Sequence, residues 1–160
     1  MVRGAGHRAL RRGRFSGPGR TYLVTTVTHA RRPLFLDLYA ARSAIAELKR
    51  CQTDGEAESL AWVLMPDHLH WLVTLTGCPH LARLMQRFKS RSAIAINRCL
   101  GREGKVWQSA YHDHGLRRDE DLQAAARYLV GNPLRAGLVE QIGDYPHWDA
   151  VWVRYDESRA

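Results

Sequence analysis

Two histidines separated by one apolar residue, His68 and His70 around Leu69, carry the clearest chemical signal in this sequence. The residues that follow are typical of a buried strand, in which residues i and i+2 point to the same face. The two imidazoles would then project side by side while Leu69 enters the core, as two ligands of one metal ion require. The alternative is a pair of hydrogen-bonded strand histidines with no metal. Pro66 and Asp67 predict a turn before the pair and favour an accessible His68.

A tyrosine and an asparagine one helical turn apart form a second candidate pair. Residues 119–130 have helical periodicity, with Asp119 as the expected N-cap and Gly131 as the expected end. The apolar stripe consists of Leu122, Ala126 and Leu129. At roughly 100° per residue, Tyr128 lies about 120° from the stripe centre, and Asn132 follows on nearly the same side. Exposed helical tyrosines are common, and an asparagine before proline is an ordinary helix stop, so this pair gains weight only in combination.

The combination is a site of two imidazole nitrogens and one amide oxygen, from His68, His70 and Asn132. Such a set of ligands with vacant positions suits Mg²⁺ or Mn²⁺. An open coordination position can hold a phosphate oxygen and stabilise its charge. A tyrosine beside it, such as Tyr128, can attack phosphorus and form a covalent phosphotyrosine.

The net charge of +8 over 160 residues indicates a polyanionic partner, for which nucleic acid is the usual choice. The first twenty residues contain no acidic residue, and their arginines are Arg3, Arg8, Arg11, Arg12, Arg14 and Arg20. We expect residues 1–18 to form a basic flexible arm. The alternatives are a misassigned start codon and a solubilising tail.

A row of arginines also marks residues 81–100, which are predicted to form a long amphipathic helix. Its apolar stripe, expected to dock on the sheet, consists of Leu84, Met85, Phe88, Ala95, Ile96 and Cys99. The other flank carries Arg83, Arg87, Arg91, Arg98 and Arg102. No acidic residue interrupts the row, so we expect it to stay in solvent and contact DNA phosphates. The alternative is an ordinary solvated helix face.

Several classes of protein are excluded by composition. No apolar run approaches the ~18 residues that span a bilayer, and the arginine-rich start lacks the apolar stretch of a secretory signal. Cys51, Cys78 and Cys99 are odd in number and form no C-x-x-C motif. We interpret them as reduced structural thiols of a cytoplasmic protein, associated with the nucleoid when it binds DNA.

The predicted order of elements is strand, helix, strand, strand, helix, strand, helix. The strands are predicted at residues 21–29, 59–65, 70–75 and 106–116, and the helices at 38–52, 81–100 and 119–130. The short Pro66–Asp67 link requires antiparallel neighbours. This order predicts a single α+β domain, a ferredoxin-like sandwich with an antiparallel sheet and its helices on one face. The chain through Trp148 and Trp152 is expected to wrap back over the core.

Four stretches of the chain resemble a known family. Residues 65–70, Met-Pro-Asp-His-Leu-His, resemble the histidine–hydrophobe–histidine motif of the HUH single-tyrosine transposases. Residues 106–114 and 127–139, Val-Trp-Gln-Ser-Ala-Tyr-His-Asp-His and Arg-Tyr-Leu-Val-Gly-Asn-Pro-Leu-Arg-Ala-Gly-Leu-Val, are similar to the REP-associated tyrosine transposase branch. Residues 84–91 also resemble that branch. The resemblance covers residues 19–148, and motifs in a fixed order are more specific than any single one.

The resemblance implies a catalytic domain over residues 19–156 and a metal-dependent nuclease that acts on single-stranded DNA hairpins or palindromic repeats. In that family scheme His68, His70 and Asn132 would bind Mg²⁺ or Mn²⁺. Tyr128 would be the nucleophile, leaving a 5′-phosphotyrosine and a free 3′-hydroxyl.

Tyr111 is the rival nucleophile, beside His112 and His114. We expect Tyr111 to lie in the core or face the substrate, His114 to contact DNA or support a ligand, and Trp107 and Trp148 to be core aromatics. Two other functions stay open, a non-catalytic nucleic-acid binder on the same fold and a metal-dependent hydrolase that uses water. The sequence leaves open whether the protein is a monomer or a homodimer.

Overall fold

The computed structural model of the chain describes residues 17–117 and 120–153. Most of the predicted basic arm, Asp119 and the last three residues of the predicted domain fall outside these ranges, so those predictions stay untested. Among the described helices, none combines the length and apolar character that a membrane crossing demands.

Five antiparallel strands form one sheet in the order β4-β1-β3-β2-β5. The strands are β1 (Thr21–Val27), β2 (Ala57–Met65), β3 (His68–Leu75), β4 (His112–Gly115) and β5 (Trp148–Ala150). The helices are α1 (Leu38–Thr53), α2 (Leu81–Leu100), α3 (Leu122–Val130) and the single turn α4 (Asn132–Arg135). Short 3₁₀ turns occupy His29–Arg31, Leu34–Leu36 and Ile142–Asp144. The chain order β1-α1-β2-β3-α2-β4 confirms the predicted α+β sandwich.

Helices α1 and α2 cover one face of the sheet, which we call the core face. Alternate residues of β3 point into it, and they are Leu69, Trp71, Val73 and Leu75. Phe88 of α2 packs between two indoles, with its ring centroid 5.6 Å from that of Trp71 and 5.7 Å from that of Trp107. The Trp107 indole Nε1 donates a hydrogen bond to Ser92 Oγ at 2.9 Å. Trp107 is therefore a core aromatic, as predicted, whereas Trp148 is half-buried on the other side.

Helix α3 packs on the opposite face, which we call the site face. Its Ala126 and Leu129 share a second core with Met65 and Leu72 of the sheet. The prediction of helices on one face is thus right for α1 and α2 and wrong for α3. The physical reason is that both faces of β2 are apolar, since every residue from 60 to 65 is buried. A strand with two buried faces needs a cover on each side.

The predicted strand at residues 106–116 is much shorter, because only His112–Gly115 pair with β1. Trp107 makes a single bridge with Thr28. Between these points the carbonyl oxygens of Gln108 and Ala110 accept hydrogen bonds from the Lys89 ammonium of α2. A side chain of the neighbouring helix thus replaces part of the strand ladder.

Two local predictions need correction. Cys99, assigned to the apolar stripe of α2, is exposed. Cys51 and Cys78 are buried, and all three are free thiols as expected; burial raises the pKa of Cys51 to about 12.

Helix α3 begins three residues later than predicted and is capped by Asp121, whose carboxylate accepts a hydrogen bond from the Ala124 amide at 3.0 Å.

Candidate metal and tyrosine site

The two histidines of β3 lie side by side on the site face. Leu69 between them is fully buried on the core face, as the period of a strand requires. The His68 and His70 ring centroids are 4.7 Å apart and the ring planes are nearly perpendicular. Both residues are partly exposed, so the predicted side-by-side geometry is present at an accessible surface.

One nitrogen of each ring has an oxygen partner. His68 Nδ1 lies 2.6 Å from Asp67 Oδ1, and His70 Nδ1 lies 2.8 Å from Thr25 Oγ1. Metal-binding histidines are commonly held in this way, because a partner on one ring nitrogen fixes the tautomer and directs the other nitrogen to the ion. A metal would therefore bind through the two Nε2 atoms.

One of these two oxygen partners has a local signal in the sequence and the other has none. The sequence predicts Asp67 as a turn residue, and its position next to His68 is a local signal for their contact. Thr25 was missed, since it faces His70 only through the pairing of β1 with β3. The Asp67 carboxylate also pairs with the Arg31 guanidinium at 3.4 Å, which helps to hold the turn.

The electrostatic environment keeps His70 neutral. Burial, together with the charges of the neighbouring His68 and Arg135, lowers the pKa of His70 to about 4. A neutral imidazole retains the lone pair that a metal ion needs. The contribution of Arg135 also indicates that the chain just after α3 comes close to the histidines.

Tyr128 lies on the last turn of α3 and is 67% exposed. Its neighbours Ala126 and Leu129 are buried against the sheet, so the tyrosine is off the apolar stripe, as predicted. Leu129 packs in the same core as Leu72, which follows His70 on the same face of β3. The structure therefore brings the tyrosine helix and the histidine pair to one face of the sheet.

Asn132 begins α4, four residues after Tyr128. Its side-chain amide donates from Nδ2 to the Leu129 carbonyl oxygen at 2.7 Å. This hydrogen bond uses the nitrogen and leaves the amide oxygen as the atom suited to a ligand role.

The ligand chemistry can be tested against the residues present. Within residues 17–117 and 120–153, no three His, Cys, Asp or Glu side chains are grouped so that they could hold a metal ion. A third protein ligand beside His68 and His70 would therefore be of another type, and the Asn132 amide oxygen would be one. Two imidazoles with fixed Nδ1 partners and an amide oxygen fit Mg²⁺ or Mn²⁺.

The arginine row of α2 lies on the other side of the sheet, because α2 packs on the core face. Two of its members are neutralised by acidic residues that follow α1. Arg87 pairs with the nearly buried Glu56, and Arg91 Nη1 lies 3.2 Å from Asp54 Oδ2. The expectation that the row stays in solvent thus agrees with Arg83 and Arg98, whereas Arg87 and Arg91 are half-buried and paired with carboxylates from a distant part of the sequence.

The remaining arginines of the row have different surroundings. Arg102 donates to Asn97 Oδ1 at 2.8 Å and to the Lys105 carbonyl oxygen, which holds the end of α2. Arg83 and Arg98 are exposed. They are the members best placed for phosphate contact.

The edge strand β4 adds polar groups to the site face. His112 is paired with Thr25 and His114 with Leu23, so both histidines share the face of His70. His114 is exposed, with Nε2 3.8 Å from Glu120 Oε2. It is thus available to DNA near the site.

Tyr111, the rival nucleophile, packs instead against the core-face cluster. It is half-buried, and the Lys89 ammonium lies 6.0 Å from its ring centroid. The two tyrosines therefore lie in different surroundings, and Tyr128 is the one on the helix that shares the face of the histidines.

Comparisons with known proteins place this geometry in context. The model of the family described as "Transposase IS200 like" matches residues 19–131. The chain is 28% identical over 131 residues to the REP-associated tyrosine transposase of Escherichia coli K12, covering 80% of this chain and 74% of that protein. It is 29% identical over 139 residues to a putative REP-associated tyrosine transposase of Haemophilus influenzae, covering 81% and 78%.

Two solved structures share the fold. One is a REP-associated tyrosine transposase bound to a REP hairpin, with a TM-score of 0.69 and 24% identity over 84% of this chain and 79% of that chain. The other is a putative transposase from Deinococcus radiodurans, with a TM-score of 0.52 and 20% identity over 82% and 97%. Both confirm the open antiparallel sheet with its helices.

Proposed function

Because this chain belongs to the IS200-like transposase family, we propose that it is a metal-dependent endonuclease and strand transferase for single-stranded DNA. The proposed substrate is a hairpin or palindromic repeat, and the proposed intermediate is a 5′-phosphotyrosine on Tyr128. The observation that carries the proposal is that two histidines, each with an oxygen partner on Nδ1, and the helix of the exposed Tyr128 lie on one face of the sheet.

The proposed reaction conserves the phosphodiester bond energy. The Tyr128 hydroxyl oxygen attacks phosphorus and forms a new P–O bond, while the bond from phosphorus to the 3′-oxygen breaks. The phenol proton is lost to the surroundings, and the leaving 3′-oxygen takes up a proton to become a hydroxyl. A 3′-hydroxyl can later attack the phosphotyrosine and rejoin the strand, which releases the tyrosine.

The protein residues would divide the work between binding and attack. His68, His70 and Asn132 would hold Mg²⁺ or Mn²⁺, which supplies positive charge to the phosphate oxygens when bound. Thr25 and Asp67 would fix the two imidazoles through their Nδ1 atoms. The short α3–α4 connection would keep the tyrosine and the amide ligand in a fixed relation.

A hairpin substrate is supported by the relative whose structure is described as bound to a REP hairpin. On this chain the exposed His114 lies on the site face and Arg83 and Arg98 lie on the far side of the sheet. DNA that contacts both regions would have to pass around an edge of the sheet. We therefore propose His114 as the contact nearer to the cleaved strand.

The decisive experiment is to trap the covalent intermediate. The full-length protein is incubated with a labelled single-stranded DNA library and Mn²⁺, with an EDTA sample as the control, and separated on a denaturing gel. We expect a metal-dependent adduct, which mass spectrometry should locate on Tyr128. Tyr128→Phe should form none, whereas Tyr111→Phe should form the wild-type amount. An adduct on Tyr111 would overturn the tyrosine assignment, and DNA binding without any adduct would indicate the non-catalytic binder.

A further inference from the structure

The ring of Tyr128 does not stand alone on the site face. The Arg135 guanidinium lies over it, with Cζ 4.0 Å from the ring centroid. The same guanidinium donates from Nη2 to the Tyr128 carbonyl oxygen at 2.5 Å. One side chain thus contacts both the ring and the backbone of the candidate nucleophile, seven residues before it in the chain.

A missing side chain makes room for this contact. Gly131, between the two residues, has an ordinary helical conformation with φ −74° and ψ −5°, so its backbone does not require glycine. A Cβ atom at Gly131 would lie 2.8 Å from Arg135 Nη1. The same Cβ would lie 3.3 Å from the Arg127 carbonyl oxygen and 3.4 Å from the Tyr128 carbonyl oxygen, so the closest and most flexible group, the guanidinium, is the one that must move most. Glycine here therefore permits the stacked position of Arg135.

We propose that Arg135 is a positioning residue for Tyr128, holding the phenol ring by stacking and by its bond to the Tyr128 carbonyl. This inference rests on the proposed function of Tyr128 and adds a residue to it. A tyrosine that is 67% exposed has little apolar packing to fix its ring. A cation over an aromatic face is attracted to the ring, and this attraction favours one ring orientation.

Arg135 also connects the tyrosine with the histidines. Its charge acts on His70, and its guanidinium contacts the Tyr128 ring, so Arg135 is near both the phenol and a candidate metal ligand. A group in that place can hold the phenol ready before DNA arrives. Misplacing a nucleophile by about 1 Å can cost ~10²-fold in rate, so loss of the contact should slow attack more than binding.

The test measures the rate of adduct formation in single turnover with an oligonucleotide selected by cleavage from the library, and its Kd separately. Arg135→Ala should lower the rate at saturating DNA by about 10–100-fold and change Kd by less than about 3-fold. Gly131→Ala keeps the arginine but displaces its guanidinium, and it should lower the rate in the same way. Arg127→Ala removes one positive charge from the exposed flank of the same helix turn and should act like wild type.

The outcomes separate positioning from other roles. A weaker Kd with an unchanged rate at saturation in Arg135→Ala would make Arg135 a DNA contact and overturn the proposal. A wild-type rate in Gly131→Ala beside a slow Arg135→Ala would show that charge alone matters, which also overturns it. Equal rates in all variants would do the same.

A second readout does not depend on cleavage. In the wild-type protein, ring current from Tyr128 should shift the NMR signals of the Arg135 side chain upfield, and Tyr128→Leu or Gly131→Ala should remove that shift. If the wild type forms no adduct, the proposed function fails, while this shift still reports whether the stacked pair exists. An unshifted Arg135 signal in the wild type would overturn the positioning role by itself.

Discussion

The two faces of the sheet differ in what they bury and what they leave accessible. The core face carries two long helices and closes over fully buried residues such as Trp71 and Phe88. The site face carries the nine-residue α3 and leaves His68 and His70 partly exposed. A single strand, β3, serves both faces through its alternation. Its odd-numbered residues pack in the core, and its His68 and His70 on the other face are the candidate metal ligands.

This division predicts that stability and activity respond to different substitutions, and removal of the histidines should give the largest effect. The double variant His68→Ala/His70→Ala should lose metal-dependent adduct formation, because both nitrogen ligands are gone. Its midpoint of urea unfolding should stay near that of wild type, since neither imidazole fills the core. Full adduct formation by this variant would contradict the ligand assignment.

On the core face, Phe88→Ala should destabilise the protein by about 3–5 kcal/mol, the usual cost of removing a buried phenyl ring. The reason is the cavity left between the Trp71 and Trp107 rings. Urea unfolding measures the loss. Adduct formation per folded molecule should be unchanged in the absence of urea, and a slow rate in the folded protein would show that the two faces are coupled.

Thr25 and Thr26 allow a matched comparison between the faces. Thr25→Val removes the oxygen partner of His70 Nδ1 and should weaken Mn²⁺ affinity by about 10–100-fold. Thr26→Val changes the next residue, which is fully buried on the core face with no hydrogen-bond partner for its hydroxyl. It should leave Mn²⁺ affinity unchanged. Calorimetric titration with Mn²⁺ measures the affinity of both variants. Equal affinities would show that Thr25 does not support metal binding by His70.

Two arginines of α2 give the smallest and most selective effects. Arg87→Ala should cost about 1–3 kcal/mol of stability, because it leaves the buried Glu56 carboxylate without its partner. Arg83→Ala should change stability by less than about 0.5 kcal/mol but reduce the salt dependence of single-stranded DNA binding by a slope of about 0.7. If Arg87→Ala, and not Arg83→Ala, reduced the salt dependence of DNA binding, Arg87 would contact DNA despite its pairing with Glu56. The whole row would then again be a candidate DNA-binding surface.

The spacing of apolar residues along the sequence was enough to predict much of the fold. The predicted bounds of α2 match the structure, because its apolar residues recur at helical spacing and Gly101 ends it with φ +59°. The antiparallel β2–β3 pair followed from the two-residue link at Pro66 and Asp67. The common face of the histidines followed from the period of two. These features depend on near neighbours in sequence, which a single chain displays directly.

Two contacts between distant residues could not be predicted from the sequence. Nothing near Arg87 in the sequence indicates that Glu56 would neutralise it, and nothing in β1 singles out Thr25 as the partner of His70. The placement of α3 on the site face depended on both faces of β2 being buried. The uninterrupted apolar run there was a usable signal that the prediction of helices on one face did not take into account.

The order of the parts along the chain has a consequence for synthesis. The histidines lie at a two-residue hairpin, whereas Tyr128 follows His70 by roughly 60 residues. At about 5–20 residues per second, a ribosome adds Tyr128 some 3–12 s after His70. The hairpin is local and can form early, but α3 needs the completed strands beneath it. Under the proposed mechanism, a chain interrupted in this interval would carry both histidines but lack the tyrosine that bonds to DNA.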